Sequence, residues 1–125
     1  MQQKAFYTSS QVEKEIHRLV EELRTINIAH QIRMELEQRL NSCFIEVKNV
    51  GEEDVTGLKK IETEINEIDE LMAFEAVYQA EQEISKRERH SSEYMGLENI
   101  RKDLESDTIT PSEARHAIKE IMRHH

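Results

Sequence analysis

Between Ser10 and Lys48 the chain contains neither proline nor glycine, and the whole sequence of 125 residues has one Pro and three Gly. Those two residues are the least costly means of stopping a helix. A chain that hardly uses them is committed to long helices. The rest of the composition agrees. Charged residues make up 34%, aromatics only 5%, and Trp is absent. Glu, Lys, Leu, Ile, Gln and Arg, all plentiful here, are good or tolerable helix formers. This excludes a β-sandwich, a barrel and a glycine-rich nucleotide-binding fold. The length bounds the chain to one domain, or one domain plus an appendage.

Hydrophobic spacing places the helices. Thr8, Ser9 and Ser10 offer N-caps, and Glu13 is positioned to close a capping box with Ser10. Val12, Ile16, Leu19, Leu23 and Ile26 recur at helical intervals. The seam then changes phase, to Ala29, Ile32, Leu36, Leu40, Cys43 and Val47. With nothing to stop it, the segment Ser10–Lys48 reads as one helix of 39 residues, roughly 58 Å long at 1.5 Å per residue. Its weak point is Thr25-Ile26-Asn27, where two poor helix formers flank the phase shift. Asn49-Val50-Gly51 reads as a stop, with Gly51 as a C-terminal cap. Glu52, Glu53 and Asp54 suit a new helix N-terminus, and Gly57 blurs its first residue.

Leu58, Ile61, Ile65, Ile68 and Met72 then form a heptad seam, whose short loop sets it antiparallel to the first helix. Leu71–Ala80 is apolar on most sides, so the buried face must turn or widen near Met72 and needs cover from more than one direction. Ser85–Ser92 is polar and ends this helix. Ser91 or Ser92 caps a short helix containing Leu97, Ile100 and Leu104, and Asp107-Thr108-Ile109 is a turn. Thr110-Pro111-Ser112-Glu113 is the strongest local signal, with Thr at N-cap, Pro at N1 and Glu at N3. The last helix places Ala114, Ala117, Ile118, Ile121 and Met122 on one side and Lys119, Arg123, His124 and His125 toward its C-terminus.

The net charge of −9 is not evenly spread. Residues 1–50 balance at seven acids and seven Lys/Arg, and residues 86–125 balance at eight of each; residues 51–85 hold eleven acids against Lys59 and Lys60. No basic stripe exists to displace phosphate counterions, so direct nucleic-acid binding is not expected. A run of acids can be a solvated helix face or can meet a basic partner. Cys43 is the only cysteine, so no internal disulfide can form and a reducing compartment is the default. The first residues lack the apolar run of a signal peptide, and no stretch approaches a membrane span. A cytoplasmic location is the expectation.

Few residues are arranged for chemistry. Glu13, His17 and Glu21 share one helix stripe, a spacing at which His and carboxylate can share a metal. A di-iron bundle needs Glu-x-x-His on two helices, and here a single pair, Glu113 and His116, has that spacing. Arg24 and His30 are similar to the Arg-x(4–6)-His pattern of HEPN-family ribonucleases, which are also small helical bundles. On a continuous helix, six residues at about 100° each put these two on different faces. A break near Asn27 is required to bring them together. Residues 99–114 fail as an EF-hand, because Lys102 falls at the first ligand position. The same stretch resembles a SHOCT-type helical hairpin, which implies an oligomerisation or docking element. Cys43, on the apolar seam, reads as a buried structural thiol. Phosphate loops, nucleophile elbows and zinc knuckles are absent from the sequence.

The expectation is therefore an all-α helical bundle: a long antiparallel, coiled-coil-like hairpin over residues 1–90, then a short helical hairpin over 91–125. The expected function is that of a non-catalytic interaction module without cofactor or metal, such as an adaptor, regulator or inhibitor of bacterial or phage type. Two alternatives stand beside it. One is an acidic nucleic-acid mimic that uses Glu62, Glu64, Glu67, Asp69 and Glu70 against a basic partner. The other is a helical-bundle enzyme, HEPN-like or metal-dependent. Leu71, Met72, Phe74, Val77 and Tyr78 are the candidates for self-association as a homodimer. On the helix taken alone, the like charges Glu64, Glu67 and Glu70 are destabilising by roughly 0.2–0.5 kcal/mol per pair, so their reversal to Lys is expected to leave the fold intact or firmer.

Overall fold

The computed structural model describes residues 8–51, 54–84 and 91–123. Its elements are α1 (Ser9–Thr25), α2 (His30–Asn49), α3 (Val55–Glu83), α4 (Ser92–Glu105) and α5 (Pro111–Arg123). Among the described residues there is no strand, and the chain is an all-α bundle. Glu52, Glu53, the stretch 85–90, His124 and His125 lie outside the described residues.

The expected 39-residue helix is two helices. The chain leaves helical geometry after Thr25 and re-enters it at His30. The physical reason lies in Ile26 and Ile28, which are 5% and 6% exposed. Residues i and i+2 stand about 200° apart on a helix but on the same side of an extended segment. Both isoleucines can be buried together once the helix opens. The exposed end of α1 is then satisfied from elsewhere. The Arg33 guanidinium donates to the Leu23 carbonyl, and Thr25 Oγ1 donates to the Glu22 carbonyl at 3.0 Å. The phase shift in the sequence marks the change of helix. α2 folds back along α1, with His17 edge-on to Phe44 at 5.3 Å between ring centroids. Lys48 Nζ lies 4.4 Å from the same ring.

The helix starts use local chemistry. α1 is capped by Thr8, two residues before the expected Ser10. The Gln11 N–H donates to Thr8 Oγ1, and the Thr8 N–H donates back to Gln11 Oε1, both at 3.1 Å. Asp54 caps α3 by accepting from the Gly57 N–H at 2.9 Å. A Cβ on Gly57 would stand 2.7 Å from Asp54 Oδ2, so glycine keeps room for this cap. Gly51 does not adopt a positive φ, so it is not a left-handed cap of α2.

The chain divides into two compact units. One contains α1, α2 and α3 as far as Asp69; the other contains the loop 26–29, α3 from Glu70, and α4 and α5. In the first, Val12, Ile16, Leu19 and Leu23 of α1, Leu36, Leu40, Cys43 and Val47 of α2, and Leu58, Ile61, Ile65 and Ile68 of α3 are buried. In the second, the buried line of α3 runs through Met72, Ala73, Ala76, Val77 and Ala80. The shift away from the heptad seam near Met72 is the turn of the buried face that the apolar run Leu71–Ala80 implies.

Within the second unit, Ser91 caps α4 by accepting from the Tyr94 N–H. α4 ends in a Schellman motif. The Thr108 N–H donates to the Asp103 carbonyl at 2.8 Å and the Asp107 N–H to the Leu104 carbonyl at 3.2 Å. Asp107 supplies the left-handed residue, at φ 59°, where glycine is the commoner choice. α5 begins with the expected capping box. The Glu113 N–H donates to Thr110 Oγ1 at 3.1 Å, and the Thr110 N–H donates to Glu113 Oε1 at 3.0 Å. That hydrogen bond holds the Glu113 carboxyl below its ordinary range. Gly96 lets α4 approach α5, because a Cβ there would meet Ile121 Cδ1 at 3.0 Å.

Candidate functional site

The side chains singled out in the sequence converge on α3, and the helix sorts them by angle. At about 100° per residue, Ala73, Ala76 and Ala80 form the side that is buried. Leu71, Phe74 and Tyr78 fall on the opposite side. Leu71 and Phe74 are half-buried and Tyr78 is 54% exposed. Met72 and Val77 belong to the core, at 0% exposure each. The five residues grouped by sequence thus separate into two that fill the interior and three that line the surface.

The carboxylates separate as well. Arg39 of α2 reaches Glu64 at 2.6 Å and Glu67 at 3.3 Å. The hydrogen bond that Arg39 donates to the Glu64 carboxylate is the main cause that raises the Arg39 pKa above its usual value. Asp69 is buried and lies 4.0 Å from Arg18, whose guanidinium also pairs with Glu15 and Glu22. Glu62 and Glu70 are half-buried. So Glu62, Glu64, Glu67, Asp69 and Glu70 do not form one uniform patch. Three of the five face arginines of α1 or α2, and Glu62 and Glu70 have no ion pair among the described residues. Sequence spacing misses Arg18 and Arg39 as partners because both pairings cross between helices far apart in the chain.

Cys43 is buried at 2% exposure. Burial, with Glu64 and Glu46 adding negative charge nearby, pushes its thiol up to about 11. A thiol held protonated in this way is a poor nucleophile at neutral pH.

Arg24 and His30 now sit on either side of a real break. Arg24 is in the last turn of α1 and pairs with Glu21 at 3.4 Å; His30 opens α2, and both side chains are exposed. The angular objection that applies to a continuous helix does not apply here. Glu13 is half-buried, and His17 and Glu21 are exposed. Among the described residues no group of three His, Cys, Asp or Glu is placed to hold a metal ion.

The α4–α5 hairpin carries an open cleft of about 600 Å³, lined by Ile100, Asp103, Ile109, Ser112, Glu113, His116 and Ala117. Glu113 is already engaged in the cap of α5. A buried carboxylate, Glu81, pairs with Arg101 in the same unit. No helix is long and apolar enough to cross a membrane among the described residues.

No family model matches this chain, and no curated protein and no solved structure matches it.

Proposed function

We propose that the chain is a non-catalytic protein-interaction module, a small adaptor, regulator or inhibitor that acts through helical surfaces in a reducing, cytoplasmic setting. The observation that carries this reading is the outer side of α3. There Tyr78 is 54% exposed on the same line as half-buried Leu71 and Phe74. Over this stretch Ala73, Ala76 and Ala80 form the internal side of the helix, as the coiled-coil-like seam Leu58–Met72 does before it, which leaves the side of Leu71, Phe74 and Tyr78 for a partner. The excess of carboxylate on residues 51–85 favours a partner with a basic surface, as a nucleic-acid mimic would have. A homodimer through Leu71, Phe74 and Tyr78 is the competing form of the same proposal.

Affinity capture from the native host, followed by the Glu64→Lys/Glu67→Lys/Glu70→Lys variant, tests it. Loss of the captured partner from a folded variant supports the acidic-face reading. Retention of the same partner ends it.

One observation favours a second reading, a HEPN-like ribonuclease. The break at residues 26–29 falls between Arg24 and His30, where that reading requires one. Ribonuclease activity of the purified chain that disappears in His30→Ala would establish it; an inactive chain removes it.

A further inference from the structure

The outer side of α3 is apolar along its middle and acidic at both edges, and this combination selects among possible occupants. At about 100° per residue, Leu71, Phe74 and Tyr78 span a narrow sector, with Glu70 beside one edge and Glu75 beside the other. Neither glutamate has an ion pair among the described residues, and both are half-buried. α3 carries no Lys or Arg after Lys60, so the helix itself supplies nothing to neutralise them.

A second copy is a poor occupant of this stripe. An isologous pairing presents the same surface to itself. With Leu71 opposite Tyr78 of the other copy, the pairing centres between Phe74 and Glu75. Both copies of Glu75 then approach the two-fold axis, and like charges brought together and desolvated oppose association. A helix with apolar residues at the same spacing and Lys or Arg beside them meets no such opposition. Its apolar side covers Leu71, Phe74 and Tyr78, and its cations meet Glu70 and Glu75. This is the helix-on-groove mode of recognition, read from anchors spaced three and four apart.

We infer that the Leu71–Phe74–Tyr78 stripe, bracketed by Glu70 and Glu75, docks a basic amphipathic helix of another protein. The inference rests on the interaction reading above and deepens it by naming the partner's chemistry and its place on α3.

The test uses the full chain and two synthetic peptides. One has leucines at every third or fourth position with lysines beside them; its twin has glutamate for every lysine. The lysine peptide is expected to bind, more weakly as salt rises, and the glutamate twin is not. Phe74→Ser/Tyr78→Ser is expected to abolish that binding with unchanged helical circular dichroism. Glu70→Lys/Glu75→Lys is expected to weaken it by about tenfold or more, the equivalent of roughly 1.4 kcal/mol. Equal binding of the two peptides, or binding untouched by Phe74→Ser/Tyr78→Ser, overturns the inference. So does light scattering that shows a dimer of the wild type which Phe74→Ser/Tyr78→Ser dissociates, since a second copy then covers the stripe. If host capture is lost in the Glu64→Lys/Glu67→Lys/Glu70→Lys variant while the lysine peptide fails to bind, this inference falls and the broader interaction reading stands.

Discussion

The two halves of α3 carry carboxylates at similar density and use them differently. Toward the N-terminus, Glu64 and Glu67 are drawn to Arg39, and Asp69 is buried beside Arg18. Toward the C-terminus, Glu81 is buried against Arg101, but Glu70 and Glu75 flank an apolar stripe without ion pairs among the described residues. The difference teaches that charge counted along a sequence is not charge presented to a partner. In the first half Glu64, Glu67 and Asp69 face arginines of α1 or α2, and Glu62 has no ion pair among the described residues. The second half leaves two of its acids beside half-buried Leu71 and Phe74 and exposed Tyr78.

The largest effect that can break this comparison concerns the apolar residues of the second half. Met72→Ala removes a fully buried side chain and is expected to cost roughly 2–5 kcal/mol. Tyr78→Ala is expected to stay within about 0.5 kcal/mol, as exposed substitutions do. Urea denaturation followed by circular dichroism measures both. A comparable loss in the two variants would mean that Tyr78 is structural and that the stripe is not a surface.

Next in size is the charge reversal of the first half. Helix propensity alone favours replacing Glu64 and Glu67 by Lys. Arg39 changes that sign, because the lysines would face its guanidinium. Glu64→Lys/Glu67→Lys is expected to lose about 1 kcal/mol, since partly exposed pairs contribute little each and repulsion replaces attraction. Combining it with Arg39→Glu should restore part of the loss. A double variant at least as stable as the wild type would show that these ion pairs contribute nothing.

A smaller effect reads the local charge of the same half through Cys43. Its thiol is pushed from an ordinary 9.0 up to about 11. The folded state therefore holds this proton more tightly than the unfolded chain does. The associated stability is complete below pH 9 and is lost as pH rises through about 11. Glu64→Gln removes one of the causes that raise the value, so thiolate absorbance should appear at lower pH than in the wild type. Cys43→Val should remove this component of alkaline destabilisation. No movement in Glu64→Gln would place Glu64 too far from Cys43 to matter.

How much of this was legible in the sequence depends on whether the signal is local. The α4–α5 turn was readable because Thr110, Pro111 and Glu113 act within one helical turn. The buried seams of α1, α2 and α3 were readable from spacing. The α1–α2 turn was not. It uses no Gly or Pro, and it is set by the burial of Ile26 and Ile28 and by Arg33 reaching the Leu23 carbonyl. Only the phase shift and the weak formers Thr25 and Asn27 hinted at it. On α3, spacing separated apolar from acidic residues. It could not tell Met72 and Val77 from Leu71, Phe74 and Tyr78, because which side of an apolar run is covered depends on helices elsewhere in the chain. For the same reason it could not show that Arg39 neutralises Glu64 and Glu67.

The central claim, that the two halves of α3 divide internal from external use of their acids, is met most directly by one paired measurement. Denaturation midpoint and lysine-peptide affinity are measured together for Glu64→Lys/Glu67→Lys and for Glu70→Lys/Glu75→Lys. Opposite outcomes are expected: the first pair loses stability and keeps the peptide, and the second keeps stability and loses the peptide. Two variants that change stability and affinity alike would contradict it.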